Sequence, residues 1–215
     1  MPTSPVIAVV DYGAGNLRSV AKALQRSGLE PEVTSDPAAV RRADGVVLPG
    51  VGAFADGMSH LREKGLDEAV KDSIGSGRPY LGLCLGLQLL FEESDEHGQT
   101  AGLGLLPGRV ERFPDRAPAG ESLRVPHIGW NTVRFVGEHP MLEQLPEEGC
   151  FYFVHSYRVR PGRPELTSGW TDYGGEFAAA AAHENMFAVQ FHPEKSQAAG
   201  KQLLDAYAGW VASCR

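Results

Sequence analysis

Tyr80-Leu81-Gly82-Leu83-Cys84-Leu85-Gly86-Leu87-Gln88 is the stretch that decides how this chain is read. Tyr80 to Leu83 predicts a strand, and Leu85 to Glu93 predicts a helix that follows it without an intervening loop. Glycine-x-cysteine-x-glycine at such a junction has the form of a nucleophile elbow. The turn is so sharp that the residue at its apex takes a strained backbone conformation, and a Cβ on a flanking residue would obstruct it. The helix opening at Leu85 aims free N–H groups and a positive dipole end at the Cys84 sulfur, which favours the thiolate. The Leu85 amide can donate to an oxyanion, and Gln88 stands one helical turn beyond the sulfur. Free cysteines are often only small buried hydrophobes, but this setting favours a nucleophile.

Working outward, the segments before the elbow alternate strand and helix. Val6 to Val10 is a continuous apolar run, expected as a strand buried on both faces. Leu17, Val20, Ala21 and Leu24 mark a helix face after the turn at Asp11-Tyr12-Gly13-Ala14-Gly15, with Asn16 as its cap. Glu30–Thr34 and Val46–Leu48 predict two further strands, separated by a short helix begun by Asp36-Pro37. Leu66, Ala69, Val70 and Ile74 predict another helix before the elbow strand. Such alternation implies a doubly wound, mostly parallel α/β sheet with its ligands at the carboxyl ends of the strands. Beyond the elbow, Val110–Phe113, Ile128–Phe135, Phe151–Val159, Leu166–Trp170, Glu176–Ala182 and Phe187–Phe191 read as short strands, expected to be antiparallel. A last helix over Ser196–Ser213 carries Leu203, Leu204, Tyr207, Trp210 and Val211 at helical spacing. One domain covering residues 1–215 is expected.

The composition excludes several classes. The chain has 215 residues with 42% apolar and 22% charged, and its 20 Lys+Arg against 27 Asp+Glu give a formal charge of −7. It shows no basic stripe for nucleic acid and no apolar run of bilayer-spanning length, so neither partner is expected. The N-terminus lacks a basic signal-peptide region, and Cys84, Cys150 and Cys214 are too few for a disulfide framework. A reducing cytoplasmic setting follows. No histidine or cysteine pair has zinc-site spacing, so no metal and no cofactor are expected. Cys150 and Cys214 have none of the elbow's context.

Downstream of the elbow, His192-Pro193-Glu194 closes the strand Phe187-Ala188-Val189-Gln190-Phe191. Residues i and i+2 of an extended chain project to one side, and Pro193 stiffens that spacing. Glu194 can therefore accept from one imidazole nitrogen while the other faces a thiol, as a nucleophile–base–orienter relay requires. Alone, this pair could be solvated surface. His60, His97, His139 and His183 lie in loop or polar contexts where surface roles suffice, while His127 and His155 flank strands.

Together, Gly82-Leu83-Cys84-Leu85-Gly86 and the later His192-Pro193-Glu194 resemble the class I, triad-type glutamine amidotransferases over the whole chain. Further segments are similar to one branch, the glutaminase subunits of imidazole glycerol phosphate synthase. They are Asp11–Leu17, Pro49-Gly50-Val51-Gly52-Ala53-Phe54, Pro126–Asn131, Tyr152–Tyr157 and Phe191–Ser196. The resemblance implies glutamine hydrolysis by Cys84, His192 and Glu194 through a thioester. It implies an oxyanion hole from Leu85 and the Gly50-Val51 region, with Gly52, Gln88, His155, Ser156 and Tyr157 at the amino-acid end of glutamine. It also implies a (β/α)8 barrel cyclase as heterodimer partner, reached through Asn16, Trp130, Tyr152 and Lys195. Ammonia would pass down that barrel to form imidazole glycerol phosphate and an aminoimidazole carboxamide ribotide, a step of histidine biosynthesis. A glutaminase for another synthase, or a silent binding module of the same fold, are the alternatives.

Overall fold

The computed structural model describes residues 4–214. The first half gives β1 (Val6–Val10), α1 (Leu17–Arg26), β2 (Glu30–Thr34), α2 (Pro37–Arg42), β3 (Gly45–Gly50), α3 (Phe54–Glu63), α4 (Leu66–Gly75), β4 (Tyr80–Cys84) and α5 (Leu85–Gln88). The second half is nearly all strand, namely β5 (Phe91–Ser94), β6 (Thr100–Ala101), β7 (Leu106–Arg112), β8 (His127–Phe135), β9 (Glu148–His155), β10 (Tyr157–Pro161), β11 (Thr167–Asp172), β12 (Glu176–His183) and β13 (Met186–Val189). The closing helix is α6 (Gln197–Ser213). One sheet runs β2-β1-β3-β4-β13-β12-β10-β7-β5-β6, and β11, β8 and β9 extend it from β12.

Side-chain alternation along the parallel strands explains why both faces are covered. Ile7 and Val9 of β1 join Leu24 of α1 and Leu203, Tyr207 and Trp210 of α6. Ala8 and Val10 join Val40 of α2, Met58 and Leu61 of α3 and Val70 of α4. The antiparallel extension is packed by aromatic rings, with Phe151 stacked on Phe191 at 4.0 Å between centroids and Phe153 edge-on to Phe191 at 5.5 Å. Each such pair adds roughly 0.5–1.5 kcal/mol beyond its buried area.

Three expectations need correction, and one helix had no counterpart in the sequence reading. The helix foreseen over Leu85–Glu93 stops at Gln88, because the next carbonyls are taken from outside. Leu89 O accepts from Leu103 N and Leu90 O from Leu105 N and Leu106 N, after which Phe91–Ser94 straightens beside β7. The strand foreseen over Phe151–Val159 is two strands that break at Ser156. The last strand is antiparallel to β12 but parallel to β4, so it extends the doubly wound core instead of the antiparallel portion. Finally, α3 went unread although Phe54, Met58 and Leu61 are buried at helical spacing.

Candidate active site

Three neighbouring parallel strands, β3, β4 and β13, end at the same edge of the sheet. Gly50 is level with Cys84 across β3 and β4, and Val189 with Leu83 across β4 and β13. Hydrogen-bonded strands lie about 4.8 Å apart, so the Gly50-Val51 loop, the thiol and the segment carrying His192 converge. Cys84 has φ 53° and ψ −102°, a positive-φ geometry that L side chains rarely adopt. Both flanking glycines are required. A Cβ at Gly82 would stand 2.6 Å from the Gly86 carbonyl oxygen, and one at Gly86 would collide with that of Leu48. Leu85 opens α5, so its N–H has no acceptor within that helix. The helix is only four residues long, which leaves local amides, more than a long dipole, to act on the sulfur.

His192 follows β13 in an extended conformation before a turn over Pro193–Lys195. Its N–H donates to Tyr152 O at 2.9 Å, and its carbonyl accepts from Ser196 Oγ at 2.6 Å. The ring is therefore held from both sides of its own backbone. Nδ1 lies 2.8 Å from Glu194 Oε1, and both side chains are only 4% exposed. Nε2 is buried with no partner of good hydrogen-bond geometry in the chain, as is Glu194 Oε2. Burial disfavours the imidazolium, yet the Cys84 sulfur and the Glu194 carboxylate outweigh it and push the His192 pKa up to about 9.

A cleft of about 260 Å³ opens over Cys84 and is walled by Val51, Gly52, Leu85 and Gln88 on one side. His155, Ser156 and Tyr157 close the other side, at the break between β9 and β10. Gly50 is not part of this wall. It borders a small void behind the loop together with Asn16, His192, Glu194 and Lys195. The Gly50-Val51 peptide thus separates the cleft from the Asn16 and Lys195 side.

The residues matched by the family model for glutamine amidotransferase class-I are 8–206, nearly the whole chain. This chain belongs to the class-I glutamine amidotransferases. The imidazole glycerol phosphate synthase subunit HisH of Moorella thermoacetica is 52% identical over 198 residues, covering 92% of this chain and 91% of the relative. The protein of the same name from Synechococcus elongatus is 50% identical over 217 residues, covering 100% and 98%. Among solved structures, a glutamine amidotransferase has a TM-score of 0.73 at 20% identity, covering 96% of this chain and 98% of its own. PurLQS of Thermotoga maritima has a TM-score of 0.74 at 19% identity, with 97% and 99% covered. These structural likenesses carry the amidotransferase fold.

Other sequence-derived positions of this amidotransferase fall into two groups. Asn16 caps α1, accepting from Ser19 N at 3.3 Å. Trp130, Tyr152 and Lys195 form one surface cluster, with the Trp130 ring edge-on to Tyr152 at 6.0 Å and Lys195 Nζ 5.9 Å from the Tyr152 ring centre. Trp130 is 49% exposed and Ile128, two residues away on the same strand face, is 59% exposed. Surface roles do not suffice for His139, which is buried and bonded to Glu184 O and Met141 N. Cys150 and Cys214 are exposed and free. No group of His, Cys, Asp and Glu able to hold a metal occurs among the described residues.

Three residues near the sulfur escaped the sequence reading. Glu96 lines the cleft, and one of its carboxylate oxygens accepts from Phe54 N at 2.6 Å. It ends the run Glu92-Glu93-Ser94-Asp95-Glu96, which the over-long helix obscured. Tyr12 brings a buried hydroxyl without a hydrogen-bond partner against Gly50. Gln190 is fully buried and was legible as the one polar residue in Phe187–Phe191.

Proposed function

We propose that this chain is the glutaminase subunit of an imidazole glycerol phosphate synthase, hydrolysing glutamine to glutamate and supplying ammonia to a (β/α)8 cyclase. The observation that carries the chemistry is the buried His192–Glu194 pair, whose free ring nitrogen stays within electrostatic reach of Cys84 at an elbow. Near-complete coverage by relatives bearing the synthase-subunit name supports the substrate and pathway.

In this reading the Cys84 thiolate adds to the glutamine carboxamide carbon. The Leu85 amide and one from Gly50-Val51 meet the oxyanion, at about 3 kcal/mol per donor. The His192 imidazolium protonates the leaving nitrogen, ammonia departs and a thioester remains. Neutral His192 then takes a proton from water, whose oxygen displaces the sulfur to release glutamate. Glu194 holds the ring and stabilises its charge. At the other end of the substrate, Glu96 offers a carboxylate to the α-ammonium beside Gln88, Gly52 and the His155–Tyr157 backbone.

The exposed Trp130 and Ile128, adjoining Tyr152 with the Lys195 charge over its ring, fit a docking surface, because neighbouring apolar groups rimmed by charge mark interaction sites and Lys195 also borders the void behind the Gly50-Val51 loop. The continuous sheet supports a single amidotransferase domain. No described helix is long and apolar enough to cross a membrane, and free thiols at all three cysteines agree with a cytoplasmic setting. The test uses the complex with its cyclase. Cys84→Ala is expected to abolish synthesis from glutamine and to leave synthesis from ammonium salts intact. Equal loss of both activities overturns the nucleophile.

A further inference from the structure

We infer that Gln190 is a positioning residue for the Cys84 sulfur, donating to Sγ while its carbonyl oxygen fixes which way the Gln88 amide faces. This rests on Cys84 being the nucleophile.

The polarity of the network follows from one carbonyl. Tyr157 O can only accept, so the Gln88 atom 3.1 Å from it is the amide nitrogen Nε2. The same nitrogen lies 3.1 Å from Gln190, which must therefore present Oε1. That leaves Gln190 Nε2 on the other side, 3.6 Å from Cys84 Sγ. Both Gln88 N–H groups are then used, and only its carbonyl oxygen is open towards the cleft.

Gln190 is well placed to hold such a bond. Its own N–H is fixed to Ala179 O at 2.8 Å at the end of β13, and its side chain has no exposure to water. A buried N–H aimed at sulfur favours the thiolate over the thiol and restrains the sulfur's position. The other ionisable groups around this sulfur are His192 from the segment after β13, with Glu194 behind it, and Tyr12 from the loop after β1. Glu96 from beyond β5, with His155 and Tyr157 from β9 and β10, lines the same cleft. Gln190 acts alongside His192 as a neutral donor whose contribution does not depend on its own protonation.

The test reads the sulfur directly. Full-length protein is alkylated with iodoacetamide from pH 5 to 10, and modification at Cys84 and at exposed Cys150 is followed by mass spectrometry. Gln190→Met keeps length and removes the donor. It is expected to slow Cys84 alkylation at pH 7 about tenfold and move its midpoint upward, with Cys150 unchanged. Gln190→Glu keeps an acceptor for Gln88 but replaces the donor with a carboxylate, and is expected to slow it further. A core amide with no role towards sulfur would lower the melting temperature of both variants and leave the Cys84 midpoint at the wild-type value, which overturns the assignment. In the wild-type protein, the Gln190 side-chain amide resonances are expected to move with the Cys84 titration, and resonances that stay fixed overturn it also. Alkylation needs no turnover. A shifted profile in protein whose cyclase complex fails to hydrolyse glutamine therefore supports Gln190 and counts against the hydrolase reading alone.

Discussion

Two buried imidazole regions, one at the end of β13 and one between β8 and β9, are driven in opposite directions by the same fold. His127 Nδ1 lies 3.1 Å from His155 Nε2, and His155 Nδ1 donates to Tyr157 O at 2.8 Å. The carbonyl fixes the tautomers, so His127 donates to His155 and accepts from Asn131 Nδ2 at 3.4 Å. Phe153 and Tyr173 sandwich the His127 ring at 4.7 and 4.0 Å. With no anionic partner, burial prevails and lowers His127 to about 4 and, aided by repulsion from the His127 and His192 rings, His155 to about 3. His192 is equally hidden from water but has a carboxylate and a sulfur, which raise it to about 9. What separates the structural imidazoles from the one proposed to react is the charge of its partners, not its burial.

The strongest way to break this contrast is to remove the charges. Cys84→Ala, beyond a fall of about a thousandfold or more in glutamine-dependent turnover, should bring the His192 titration down towards the ordinary value. Nuclear magnetic resonance of the ring protons checks it, and an unmoved midpoint would mean that Glu194 alone sets the charge. Glu194→Gln comes next. It keeps the shape of the contact but removes the negative charge, and turnover should fall about a hundredfold or more, with a lower His192 midpoint again. Full activity in Glu194→Gln would reduce this residue to a spacer.

Opposite shifts also give opposite pH dependences of stability. His192 is raised above its unfolded value of about 6.5, so its contribution is fully present below pH 6.5 and is lost as pH rises through 9. His127 and His155 are lowered, so the unfolded chain takes up protons first as pH falls below 6.5, and stability declines towards pH 3–4. The loss from the pair should reach a few kcal/mol. Thermal melting between pH 6.5 and 4 measures it, with His155→Gln as the sharpening variant. An unchanged slope in that variant would show that His155 does not contribute and that the acid response comes from other groups, the carboxylates and the buried His139 among them.

The sequence exposed the reactive region more fully than the structural one. Cys84, His192 and Glu194 were legible because their geometry is local, in a glycine-flanked turn and an i, i+2 pair across a proline. The parallel core was legible for the same reason, since continuous apolar strands alternate with capped helices. His127 and His155 meet only through the antiparallel register of β8 on β9, which no local pattern encodes. Glu96 was missed because the end of α5 is decided by carbonyls bonded to residues 103–106, far from any helix-stop signal. Gln190 needed only the observation that an amide interrupts an apolar strand.

The smallest expected effect tests what completes each region. Every ring nitrogen of the His127–His155 pair has a partner in the chain. Around Cys84, by contrast, Tyr12 Oη, His192 Nε2 and Glu194 Oε2 are buried without one, three of the six such side-chain atoms among the described residues. A structural cluster is finished by folding, whereas a site leaves polar atoms for a ligand to meet. For His192 and Glu194 the proposed reaction gives the missing bonds a use. Tyr12 is different, because its hydroxyl is pressed against Gly50, and burial, aided by the Cys84 charge, drives its pKa far up and keeps it neutral. A buried hydroxyl without a partner costs the fold, so Tyr12→Phe should stabilise the protein by about 1 kcal/mol and raise its melting temperature by a few degrees. A lower melting temperature would mean that water or a turned Gly50-Val51 peptide satisfies this hydroxyl in solution, and Tyr12 would then belong with the finished cluster.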